Sequence, residues 1–151
     1  MSFQIGFQIK TLSNLIKKRI DYLSKDMELT GFQAYLLGYL IRAGSRQDIF
    51  QRDVEKKMEI SRASVTSVLQ LLERNGFIRR QSVEYDARLK KIVVTQKGLE
   101  SNRQTLMMLE HVENSITEGI SDEDLQTFLQ VLAHMKKNLE QAESENDKEK
   151  E

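Results

Sequence analysis

The 151-residue sequence predicts a mostly helical protein with a single small β-hairpin. Three observations carry that expectation. The chain contains no proline, so nothing in it breaks a long helix. Apolar residues recur at helical spacing in several segments, among them Leu12, Leu15, Ile16, Ile20 and Leu23. Two neighbouring stretches, Phe77 to Val83 and Lys90 to Thr95, have strand character instead, separated by the charged run Glu84-Tyr85-Asp86-Ala87-Arg88-Leu89.

In chain order, the first apolar stripe predicts a helix over residues 9–25. Ahead of it, Phe3, Ile5, Phe7 and Ile9 alternate with polar or glycine positions, read as a lead-in or partner-packing arm rather than a strand. Thr30 suits an N-cap, and Gly31 to Ala43 is apolar nearly all round, the signature of a helix at the centre of a domain, with Gly44 as its stop. Arg46 to Ile49 reads as a polar connector. Phe50 to Met58 predicts a short helix with Val54 and Met58 facing inward, and Ile60 ends a tight turn. Ser61 caps a helix to Asn75 with Val65, Val68, Leu69 and Leu72 on one face, and Gly76 sits where a left-handed stop belongs.

After the hairpin, Thr95 caps a long helix through Leu99, Leu106, Leu109, Val112 and Ile116. A break at Gly119 precedes Ser121-Asp122-Glu123-Asp124, an acidic helix start, and Leu125, Phe128, Leu129, Leu132, Met135 and Leu139 stripe the last helix. From Glu143 onward no apolar residue remains, so residues 143–151 are expected to be a disordered acidic tail. The expected organisation is an N-terminal helical region over 1–30, a central unit over 31–98, C-terminal helices over 99–142, then that tail.

Composition excludes several classes. With 39% apolar and 30% charged residues the chain is globular rather than disordered. The absence of cysteine removes disulfide frameworks, zinc fingers and thiol redox sensors. No apolar run approaches a membrane span and no signal-peptide pattern opens the chain, so a cytoplasmic protein without membrane contact is expected. The seven glycines are isolated, which leaves no phosphate-cradling loop, and no Ser/His/Asp set has a supporting motif. No enzyme, catalytic residue or cofactor is expected. His111 and His134, with Glu110 and Glu113 near the first, do not make a metal site.

The formal net charge is zero, yet the charge is polarised. Residues 42–103 hold fourteen basic against eight acidic groups, a balance of +6, whereas residues 104–151 hold four against twelve, a balance of −8. A basic middle points to a nucleic-acid or membrane contact confined to that part of the chain, an uneven scatter of solvated faces being the alternative.

Helix, helix, tight turn, helix, charged hairpin is the order of a winged helix-turn-helix. In such a unit the helix opening at Ser61 enters the major groove of double-stranded DNA, where small polar groups suit its N-terminal end. The candidate contacts there are Ser61, Arg62, Ala63, Ser64, Thr66, Ser67, Gln70 and Arg74. On the hairpin they are Arg79, Asp86, Arg88, Lys90 and Lys91. Arg88 is placed to enter a minor groove, flanking lysines to neutralise phosphates, and Asp86 to hold the guanidinium in a bidentate pair. A winged-helix module that binds protein instead of DNA is the alternative.

From Phe50 to Gly98 the sequence resembles the DNA-binding domain of the MarR family of bacterial transcriptional regulators. The likeness rests on Ile60-Ser61-Arg62-Ala63-Ser64-Val65-Thr66, on Leu71-Leu72-Glu73-Arg74-Asn75-Gly76-Phe77-Ile78-Arg79-Arg80, and on Asp86-Ala87-Arg88 followed by a strand and Thr95-Gln96-Lys97-Gly98. Ala87 stands where many members carry a second arginine. The resemblance extends to the last helix, Gly119 to Leu139. It implies a homodimer formed by the first and last two helices, a palindromic operator, and repression relieved by a small lipophilic or aromatic effector. Tyr22, Phe32, Tyr35, Tyr39 and Met107 could line the effector's pocket, with ordinary core packing as the alternative reading of each.

Overall fold

A computed structural model describes residues 4–148, and the side chains of residues 4–142. Six helices and one hairpin follow in the order α1 (Ile5–Leu23), α2 (Gly31–Gly44), α3 (Gln51–Met58), α4 (Arg62–Arg74), β1 (Ile78–Val83), β2 (Asp86–Val94), α5 (Gln96–Thr117) and α6 (Asp122–Lys148). The chain divides into two compact units, with the boundary between Val112 and Glu113.

In the first unit, α2 is central. Its N-terminus is closed by a reciprocal cap: Thr30 Oγ1 accepts from Gln33 N at 3.3 Å, and Gln33 Oε1 accepts from Thr30 N at 2.9 Å. Leu36, Leu37 and Leu40 on α2 are buried with Val54 of α3, Val65, Leu69 and Leu72 of α4, and Phe77, Ile78 and Ile92 of the hairpin. Gly44 is the last helical residue rather than a left-handed stop; the helix closes on Ser45, whose hydroxyl donates to Arg42 O at 2.8 Å. The connector after it is not wholly polar either. Ile49 is fully buried, and its carbonyl accepts from Ile92 N at 2.7 Å, tying the connector to β2. An isolated apolar residue in a polar run carries no periodicity, so the sequence does not reveal this anchor.

The turn between α3 and α4 passes through Glu59 at φ 53°, a left-handed conformation unfavourable to a side chain with a Cβ. Glu59→Gly is therefore expected to stabilise the protein by about 0.5–1 kcal/mol. A thermal melt that fell instead would show that the Glu59 side chain holds the turn.

Helix α4 ends as its sequence demands. Gly76 N donates to Glu73 O at 3.0 Å and Phe77 N to Leu72 O at 2.9 Å, with Gly76 at φ 80°. That turn aims Phe77 into the core and starts β1. At the far end of the hairpin, Thr95 Oγ1 accepts from Gly98 N at 3.1 Å and donates to Gly76 O at 2.6 Å, capping α5 against the end of α4. Lys97 reinforces this corner: its ammonium lies 2.7 Å from Glu28 Oε2, 3.0 Å from Asn75 O and 4.5 Å from the Phe77 ring centre.

Two expected boundaries move. Helix α1 begins at Ile5, so Phe7 and Ile9 are helical, while Phe3 lies outside the described residues. In the second unit, α6 continues through residues 143–148, where a disordered tail was expected from Glu143. The segment Ala142-Glu143-Ser144-Glu145 is rich in good helix formers and free of proline and glycine, so it extends a helix already nucleated upstream. Residues 149–151 lie outside the described residues.

Candidate nucleic-acid interface

Helix α4 begins on Ser61, whose Oγ accepts from Ser64 N at 3.2 Å and is 2.9 Å from Ser64 Oγ. Both hydroxyls thus serve the cap. Thr66 is also engaged inside the protein: it donates to Arg62 O at 2.8 Å and accepts from Gln51 Nε2 at 2.7 Å, which locks α3 to α4. All the expected α4 contacts except Thr66 are exposed, and of these Arg62, Ala63, Ser67, Gln70 and Arg74 take no part in the cap. Ala63, Ser67, Gln70 and Arg74 recur at intervals of four, three and four, so they form one solvent-facing stripe opposite the buried Val65, Leu69 and Leu72. Gln51 was not expected at this site, because no spacing rule marks a glutamine that braces a neighbouring helix.

The hairpin differs from its expected form. Its turn is only Glu84-Tyr85, since Val83 pairs with Asp86 while Ser82 pairs with Lys90. Ala87, Arg88 and Leu89 therefore bulge out of β2. Val83 is buried, and the extra residues of the bulge all lie on the β2 side. The bulge projects Arg88, whose side chain is 91% exposed. Asp86 grips it as expected: Arg88 Nε and Nη2 donate to the two carboxylate oxygens at 3.2 and 3.3 Å, and Arg88 N donates to Oδ1 at 3.0 Å. These bonds hold the Asp86 carboxyl below the usual carboxylate range, the side-chain pair contributing more than the backbone bond.

Strand register sorts the remaining basic residues onto two faces. Arg80 pairs with Ile92 and Ser82 with Lys90, and these four share the face that carries buried Ile78. Lys90 Nζ donates to Ser82 Oγ. Arg79 and Lys91 lie on the other face, where Lys91 Nζ is 3.0 Å from Asp48 Oδ1. Lys91, expected on phosphate, forms this ion pair within the protein. Arg80 was passed over in favour of Arg79, because two adjacent arginines are equivalent until the register is known.

The aromatic set expected around a ligand disperses. Tyr22 is 70% exposed, Phe32 and Met107 also lie on the surface, and Tyr39 packs against the core, where burial and then Asp53 push its phenol up. Only Tyr35 of the five lines a cavity of about 260 Å³ between α1, α2 and α5. Ile20, Ala34, Leu106, Met108 and Leu109 supply its apolar wall, with Arg42 and Asn102 at its rim. Among the described residues no group of His, Asp and Glu is arranged to hold a metal ion, and no helix is long and apolar enough to cross a membrane.

A capped helix presenting a polar stripe, preceded by a braced short helix and followed by a hairpin with a projecting arginine, defines a winged helix-turn-helix protein. The MarR family profile matches residues 25–89. The uncharacterized HTH-type transcriptional regulator YybA of Bacillus subtilis is 28% identical over 130 residues, covering 83% of this chain and 85% of its own. A putative MarR family transcriptional regulator from Clostridium acetobutylicum superposes with a TM-score of 0.73 at 26% identity, over 89% of this chain and 98% of that one. The Staphylococcus aureus MepR–DNA complex shares the fold, with a TM-score of 0.74 at 24% identity over 89% and 98% of the two chains. The chain is thus similar to the MarR family over residues 25–89 and shares the winged helix-turn-helix fold of these regulators.

Proposed function

We propose that this regulator binds a palindromic operator in double-stranded DNA as a homodimer and represses transcription until a small lipophilic effector releases it. The observation that carries the reading is the exposed stripe Ala63, Ser67, Gln70 and Arg74 beside the Asp86-held Arg88. A stripe of one small apolar and three hydrogen-bonding side chains fits the major groove, and a fixed arginine at a narrow hairpin fits the minor groove. The DNA complex of the MepR relative supports the same use of the fold.

Two further features support the finer parts. Helix α1 has no buried residue, yet exposes Ile5, Phe7, Leu12 and Leu15, and α6 exposes Phe128, Leu129, Val131 and Leu139. Apolar helix faces of that kind are what a second copy covers, and a two-fold dimer spaces its recognition helices by about 34 Å, one turn of DNA. The cavity beside Tyr35 suits an effector with an apolar body. Ligand binding there would act by changing the spacing of the two recognition helices.

Titration of duplex DNA at several salt concentrations tests the central statement. The expected log–log slope is steep, about −0.9 for each phosphate contacted. A shallow slope with binding to a protein partner would support the winged-helix protein-interaction reading instead.

A further inference from the structure

Between α3, the start of α4 and the hairpin lies a groove of about 340 Å³ that the stripe on α4 does not use. Five cationic side chains line it: Arg52, Arg62, Arg80, Arg88 and Lys90, against the single carboxylate of Glu55. Arg88 is committed to Asp86, Lys90 to Ser82, and Glu55 accepts from the Gln51 amide at 3.1 Å. Arg80 is the unusual member. Its Nε and Nη2 are buried and have no hydrogen-bond partner. Glu73 Oε2 lies 3.5 Å from Nε, within ion-pair range but without hydrogen-bond geometry, while Glu73 Oε1 accepts from Arg80 N at 3.1 Å.

A guanidinium whose buried donors lack hydrogen bonds is costly unless an acceptor arrives, and the cationic wall favours an anionic one. We propose that the groove clasps one phosphodiester of the DNA backbone, with Arg80 as its fork and Arg52 and Arg62 as flanking charges. This rests on the DNA reading above and adds to it a backbone contact placed between the recognition helix and the wing. Glu73 is the positioning residue, tethering the Arg80 backbone to the last turn of α4. The contact fixes the register of the winged unit on the duplex and carries no base information.

The test compares wild type, Arg80→Gln, Arg80→Lys and Arg79→Gln in duplex titrations at several salt concentrations, with thermal melts alongside. Arg79→Gln removes the same charge from the opposite face of the hairpin. Arg80→Gln is expected to lower affinity for cognate and random duplexes alike by on the order of tenfold, and to shallow the salt slope by about one. Arg80→Lys should restore the slope but only part of the affinity, and Arg79→Gln should cost less than Arg80→Gln. A single methylphosphonate walked along the half-site should find one position that weakens wild type and leaves Arg80→Gln unaffected. That arm, together with Arg80→Lys, decides the matter even where Arg80→Gln melts early.

Steep salt-dependent binding by wild type with an unchanged slope in Arg80→Gln would overturn the clasp and leave the DNA reading intact. Wild type that binds no duplex would overturn both. Inorganic phosphate that raises the melting temperature of wild type but not of Arg80→Gln, with DNA binding equal in the two proteins, would assign the groove to a free anion and overturn the clasp.

Discussion

Gly98→Ala is expected to destabilise the protein by about 3 kcal/mol, at the upper end of overpacking costs. A Cβ at this position would stand 2.3 Å from the Phe77 carbonyl oxygen and 2.6 Å from Val94 Cγ1. Neither neighbour is free to retreat. Thr95 N donates to the same Phe77 carbonyl at 3.0 Å, and Phe77 is itself fixed by the end of α4. For a chain of this length the loss corresponds to a melting temperature lowered by roughly 6–12 °C. Gly31→Ala is the comparison, since nothing lies within 4 Å of a Cβ there. Thermal unfolding followed by circular dichroism measures both. A Gly98→Ala protein as stable as wild type would mean that the Thr95–Gly98 corner is not packed in solution as described.

Arg88→Ala is expected to lower DNA affinity by on the order of tenfold or more. The side chain projects from a bulge and is already oriented by Asp86, so little of its freedom remains to be lost on binding. Asp86→Asn should weaken binding less than Arg88→Ala, because the arginine stays but its direction is no longer fixed. Cognate and random duplexes distinguish two modes of contact. A loss confined to an A·T-rich cognate site reports minor-groove reading, and an equal loss on both reports backbone contact. Unchanged affinity on both would remove the wing from the interface.

Much of the fold was legible because local chemistry and tertiary packing agree. Thr30, Ser61 and Thr95 each cap the helix that their position announced, and Gly76 takes the left-handed conformation that ends α4. The Asp86–Arg88 pair was readable because two residues of separation suffice to set its geometry. Ile49 was not readable, since its role depends on a strand over forty residues away. The cavity beside Tyr35 was not readable either; its wall comes from aliphatic residues on three helices that no single stretch displays together.

The zero net charge of the whole chain says little, whereas its division into a basic middle and an acidic end is plain from the sequence alone. By itself, then, the sequence determined the order of elements, their caps and the presence of a cationic helix–hairpin unit, because each is set by residues close together in the chain. Only the tertiary structure decided which cations share a surface. Strand register places Arg80 and Lys90 on one face and Arg79 and Lys91 on the other, and the shift in register after Ser82 makes the bulge that carries Arg88. A shift of one residue along a strand reverses the face of every side chain, so proximity in sequence could not distinguish Arg79 from Arg80.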